Sequence, residues 1–187
     1  MLFRSILYHN NGDGTFSDVS SVGGSGITTL SSSRGLAMGD LWNTGQLSAV
    51  ISNMNSTPSL LKDEQTYPNH WIAFKTVGTK SNRDGIGARI TLRAGKRVLI
   101  DEVRSGSSYY SQSDLRVHFG LGALTKLDSV EIRWPSGLTE RFDNVKIDQF
   151  NTLTEGTGVA VSATPPSKLK TASDRPSRFA ATFADCK

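Results

Sequence analysis

The sequence holds a single cysteine, Cys186, one residue from its end. A lone cysteine excludes an intramolecular disulfide and makes no zinc site. Long apolar runs are missing too: nothing approaches the roughly 20 residues of a membrane-spanning helix, so membrane insertion is not expected. The opening MLFRSILYHNNGDG has a short apolar start but neither a sustained apolar core nor a small-residue cleavage site, and does not read as a signal peptide. No stretch carries ten or more residues of helical period, which excludes a helix-built core. Acidic residues are slightly outnumbered, giving a formal charge of +4. Most of that excess sits after Pro165, where Lys168, Lys170, Arg175, Arg178 and Lys187 face only Asp174 and Asp185. The body is near neutral with charges of alternating sign, so a nucleic-acid partner is not expected.

Glycine is plentiful, and so is alternation. Between Ser105 and Gly137, Leu115, Val117 and Phe119 alternate with Arg116 and His118, and Val130, Ile132 and Trp134 alternate with Glu131 and Arg133. A period of two predicts strands with one buried and one wet face. Gly120-Leu121-Gly122 is expected to break the first strand, and Pro135-Ser136-Gly137 to turn the chain after the second. Trp71 to Phe74, Ile86 to Leu92, Arg97 to Val103 and the stretches around Tyr109, Phe142 and Leu153 bring the total to about seven or eight strands, the spacing of an all-β, β-sandwich-like domain.

The earlier residues are organised differently. Asn10-Asn11-Gly12-Asp13-Gly14 predicts a hairpin turn after Ile6-Leu7-Tyr8, Ser20 to Ser33 reads as loop, and Ala49-Val50-Ile51 as a buried strand. The stretches LYHNNGDGTFSDVS and RGLAMGDLWNTGQLSAVISNMN resemble the FG-GAP (VCBS-type) blade repeat of β-propellers. That resemblance implies a Ca²⁺ loop of alternating carboxylates. Asp40 and Gly45 keep their places in it, but Trp42, Thr44 and Ser48 stand where the family carries acids. The loop is therefore expected to keep its shape without an ion, and no metal or cofactor site is assigned.

One blade buries its faces only against neighbours, and a propeller needs about four to eight. Residues 1–61 supply about one. We therefore expect this segment either to dock on the domain C-terminal to it or, preferably, to be the last piece of a longer propeller.

The set NRDGIGARITL, SGSSYYSQSDLRVHFGLG, LDSVEIRWPSG and NTLTEG resembles the ASPIC/UnbV domain of the cartilage acidic protein-like family, in which this module comes after FG-GAP repeats. The organisation expected is a blade over 1–61, a solvated connector over 62–68, the ASPIC/UnbV β domain over 69–157 and a disordered tail over 158–187.

Catalytic machinery is hard to find, and no catalytic residue is assigned. Ser105 to Ser113 is rich in hydroxyls, but a nucleophilic serine needs a base and an oxyanion hole. Gly85-Ile86-Gly87 precedes a strand rather than a helix, so the phosphate-loop mechanism fails. Asp101 and Glu102 are adjacent and should point to opposite faces. His118 is expected exposed on a polar face, and His70 at the domain junction. Tyr109 and Tyr110 follow a Gly/Ser-rich loop from which tyrosines can stack on sugars or contact a partner, but the expectation is that one enters the core and the other covers its edge. Trp134 is expected in the core. These residues imply a non-catalytic module with a protein or glycan partner. The family resemblance implies an extracellular or cell-surface parent. The rival is a tailoring enzyme whose site is shared with a missing propeller, and a truncated, decaying product is a third reading.

Overall fold

The computed structural model describes residues 5–63 and 68–161, so the stretch expected as a tail lies, from residue 162 on, outside the described residues. The architecture is nearly all β. A hairpin of β1 (Tyr8–Asn10) and β2 (Phe16–Asp18) opens it, joined by the expected turn with Gly12 and Gly14 at positive φ. The Ser20–Ser33 stretch, expected as loop, contains a 3-10 turn and a four-residue helix, α1 (Ser25–Thr28). α1 is too short for a helical period to mark in the sequence. Three antiparallel strands come next: β3 (Ser33–Gly39), β4 (Ser48–Asn53) and β5 (Ser59–Lys62). β5 extends into Lys62, at the start of the expected connector, because Lys62 pairs with Ser48 of β4.

The second part is a sandwich. One layer orders β6 (His70–Val77) between β9 (Val117–Gly122) and β12 (Phe150–Thr154). The other contains β7 (Arg89–Ala94), β8 (Arg97–Glu102), β10 (Ser129–Arg133), β11 (Thr139–Phe142) and β13 (Val159–Ala160), in the order β13-β11-β10-β7-β8. β13, within the stretch expected as tail, pairs with β11.

Alternation places one residue in two of each strand in the shared core: Ile72 and Phe74, Val117, Phe119 and Leu121, and Leu153 from one layer; Ile90, Leu92, Val130, Ile132 and Trp134 from the other. The expected break at Gly120-Leu121-Gly122 is not a break. Leu121 is fully buried, but it is the extra residue of a bulge: Gly122 pairs with His70 and Gly120 with Trp71, leaving Leu121 unpaired on β9 while the strand runs on. No strand forms at Tyr109; Ser108 and Ser111 make an isolated bridge there. The Pro135 turn is as expected, with Gly137 at φ 91° and its N–H donating to the Trp134 carbonyl at 2.9 Å.

Two buried carboxylates tie the far end of the sandwich. Glu140 accepts from the Trp134 indole Nε1–H at 2.7 Å and from the Gly156 and Gly158 backbone N–H groups, both at 3.0 Å. Glu155 accepts through Oε2 from three consecutive backbone N–H groups, those of Thr79, Lys80 and Ser81, at 2.7–2.8 Å. The Ser81 and Ser136 hydroxyls donate to its Oε1. A carboxylate is an acceptor only, with about four lone-pair directions, and here donors fill them. Burial pushes the Glu155 pKa up, but the Ser136, Ser81, Thr79 and Lys80 donors outweigh it and hold the acid at about 2.

Candidate interaction surface

The Ser-rich stretch before β9 lies along the open edge of β3. Ser108 Oγ accepts from Leu36 N–H (3.2 Å), Ser111 Oγ donates to the Leu36 carbonyl (2.8 Å), and Ser113 Oγ accepts from Met38 N–H (3.1 Å). Asp114 N–H donates to the Met38 carbonyl at 2.8 Å. A hydroxyl both donates and accepts, so serines can stand in for a strand's backbone ladder. Three hydroxyls of the stretch, those of Ser108, Ser111 and Ser113, thus help close a sheet edge.

Beside this edge the Asp40 turn meets the sandwich. Asp40 is buried; its Oδ1 accepts from Thr44 N–H (3.0 Å) and its Oδ2 from Gly45 N–H (2.6 Å). Asn43 and Gly45 take positive φ, as the turn requires. From β9 and the residues before it, Arg116 sends Nη1 to Asn43 Oδ1 (2.6 Å), Nη2 to the Asp40 carbonyl (3.0 Å) and Nε to Asp114 Oδ2 (2.7 Å). The Arg116 guanidinium also lies 4.4 Å from the Phe150 ring centroid.

His118 is half-buried rather than exposed, because the Asp40 turn covers the face of β9 that the sequence pattern marks as wet. Its Nε2 meets the Gly45 carbonyl at 2.8 Å, and its ring stacks parallel to Trp71 with centroids 5.7 Å apart. Burial pushes the His118 pKa down, against the smaller pull of the Gly45 carbonyl and the Asp40 charge. His70, at the junction as expected, holds Asp148 through Nδ1 at 2.7 Å.

Between the two parts lies a cleft of about 240 Å³, lined among others by Asp40, Asp101, Glu102, Asp114, Arg116 and His118. Its charges are mutually engaged. Asp101 and Glu102 alternate along β8 as expected, yet Arg104 reaches both, at 2.8 and 3.2 Å. Both histidines near the junction are turned to partners other than a hydroxyl.

The tyrosines differ from expectation. Neither enters the core: Tyr109 is 63% and Tyr110 93% exposed. Their rings meet edge to face at 4.7 Å, and Tyr110 takes φ 48°, a left-handed conformation uncommon for an aromatic residue. The serine bonds to β3 over-determine the loop and hold the pair outward. Leu36 and Met38, 39% and 43% exposed on the adjoining strand, extend the apolar surface.

Residues 78–160 match the family model described as ASPIC and UnbV. The chain carries an ASPIC/UnbV domain. No curated protein matches it. The match takes in β7 to β13, and with them Tyr109, Tyr110, Arg116, His118 and both buried glutamates. It starts after β6, although β6 is the central strand of one layer of the sandwich. The Asp40 turn and Trp71 also precede it, so the seam joins the ASPIC/UnbV domain to the segment before it. Sequence reasoning missed Glu140, Glu155 and Arg116. The signals were faint: Glu140 bonds the N–H groups of glycines 16 and 18 residues away, Glu155 bonds a turn more than 70 residues away, and Arg116 lies between two apolar positions that imply a wet face.

Proposed function

We propose that this chain is a non-catalytic binding module, the C-terminal part of an FG-GAP plus ASPIC/UnbV protein exported or displayed at the cell surface, with a protein or glycan partner. The observation that supports it is the outward tyrosine pair, held on a loop that is itself hydrogen-bonded to a neighbouring sheet. Tyrosine offers a large amphipathic contact area at small cost in side-chain freedom, and a pinned loop reduces the ordering cost of binding. The paired charges of the cleft favour this reading over an enzyme. The FG-GAP assignment of the first segment rests on its sequence resemblance and on the fold of the Asp40 turn.

The test is a glycan and protein array probed with the wild type and with Tyr109→Ala/Tyr110→Ala. Signals should fall at least about tenfold in the double variant, with the melting temperature unchanged because both side chains are exposed. Equal signals for the two proteins would remove the tyrosines from the reading. Turnover of a small molecule by the purified chain, lost on substituting cleft residues, would replace it by the enzymatic alternative.

The Asp40 turn should need no ion. Both carboxylate oxygens already accept backbone N–H bonds, and the positions expected to add negative charge hold Trp42, Thr44 and Ser48. Excess CaCl₂ should therefore leave the melting curve where EDTA leaves it. A Ca²⁺-dependent rise would show binding to the folded state by mass action and restore a Ca²⁺-supported blade.

A further inference from the structure

The outer face of the five-stranded sheet carries arginines with nothing to hold. Arg89 and Arg93 of β7 and Arg133 of β10 are exposed and make no side-chain hydrogen bond or ion pair among the described residues. Register places Arg133 directly opposite Arg89, and Arg93 opposite Val98 and Ser129. Two like charges on directly paired strand positions destabilise a sheet. Of the acids on the same face, Glu102, opposite Arg89 on β8, bonds Arg104 at 3.2 Å. Glu131 stands between Thr91 of β7 and Arg141 of β11, the latter held by Asp143 at 2.8 Å, so one carboxylate faces three free arginines. Val98 and Ile100, 47% and 49% exposed, border the arginines on this face.

We propose that this face binds a linear sulfated polysaccharide, the guanidiniums of Arg89, Arg93 and Arg133 receiving its sulfates. Arginine's planar fork donates two parallel N–H bonds to an oxyanion and is weakly hydrated, which suits sulfate. Adjacent Arg89 and Arg133, with Arg93 four residues along β7, form an array roughly 13 Å long at strand spacing, the scale of a few sugar units. An anion bridging Arg89 and Arg133 turns their repulsion into a shared attraction. An acidic peptide added as a strand fits less well, since the Glu102 N–H of the edge strand β8 is already taken by Asp101 Oδ1 at 2.8 Å. The inference rests on the binding-module reading and names a ligand class for it.

The test uses the full chain on immobilised heparin, with NaCl elution and binding isotherms. Arg89→Thr/Arg93→Thr/Arg133→Thr, threonine being chosen to keep strand propensity, should weaken binding at least about tenfold and flatten its salt dependence. The charge-preserving lysine triple should retain most of it, and single Arg133→Thr should fall between, which covers a triple variant that fails to fold. Substituting Lys168, Lys170, Arg175 and Arg178 by serine should leave most binding intact. Binding that survives the face substitutions, or is lost only with the basic residues after Pro165, would overturn the proposal. So would equal affinity for poly-glutamate, which would point to an acidic polypeptide. Turnover would sink the binding-module reading whatever heparin does, so the two failures are separable.

Discussion

Glu155→Gln should be among the most destabilising isosteric changes available to this chain, costing on the order of 2 kcal/mol and lowering the melting temperature by roughly 10 °C. The carboxylate fills its acceptor sites with the Thr79, Lys80 and Ser81 N–H groups and two serine hydroxyls. Glutamine removes the charge and turns an NH₂ toward donors, leaving at least one of them without an acceptor. Acidification should reproduce the effect. The folded acid titrates at about 2 against an ordinary 4.5, so the depressed pKa contributes stability that is complete above about 4.5 and is lost as pH falls through about 2. The full shift would amount to about 3 kcal/mol, and screening by nearby solvent reduces it to a value near that of the substitution. Melting curves of wild type and Glu155→Gln should therefore be well separated at pH 7 and converge toward pH 2. A constant separation across that range would show that the charge is not the source of the difference.

Gly45→Ala should open the seam between the first segment and the ASPIC/UnbV domain. A Cβ there would lie 2.1 Å from the Trp71 ring, and the backbone sits at φ 87°. The ring cannot give way easily, since it stacks on His118 and meets Phe150 edge to face at 5.0 Å. The turn has to move instead, taking the Gly45 carbonyl from His118 and Asn43 from Arg116. A loss of about 2–3 kcal/mol is expected from strain and lost contacts together. The indole fluorescence of Trp71 should change, and the first segment should become susceptible to protease while the sandwich resists. An unchanged digestion pattern and melting temperature would show that the seam is not a cooperative contact.

How much of this could be read beforehand depends on how local each determinant is. β7, β9 and β10 were legible because two-residue alternation is a property of the strand itself, and the turns at Gly12 and Pro135 because their backbone demands are written in residue type. Trp134 is placed by sharing a face with Val130 and Ile132. What escaped depends on partners distant in sequence. A glutamate reads as a surface residue unless its donors are known, and the bonds from Thr79 N–H to Glu155 span 76 residues. His118 alternates as a wet position, and the Asp40 turn, 73 residues away at Gly45 O, and the stacked Trp71 ring cover it. The tyrosines mislead in the opposite direction: aromatic bulk argues for burial, whereas the serines around them hold the loop out along β3.

The parallel pairing of β6 with β12 imposes an order on events as the chain is made. β6 is synthesised first among the strands of the sandwich, and Phe150 to Thr154, aligned with Ala73 to Val77, nearly last. Neither the three-stranded layer nor the anchoring of Thr79 to Ser81 can be completed until residue 155 has left the ribosome. Such long-range closure slows folding, and β6, with three consecutive residues that end fully buried, Ile72, Ala73 and Phe74, waits longest without its cover. Premature termination before Phe150 should therefore yield an aggregating chain rather than a smaller domain.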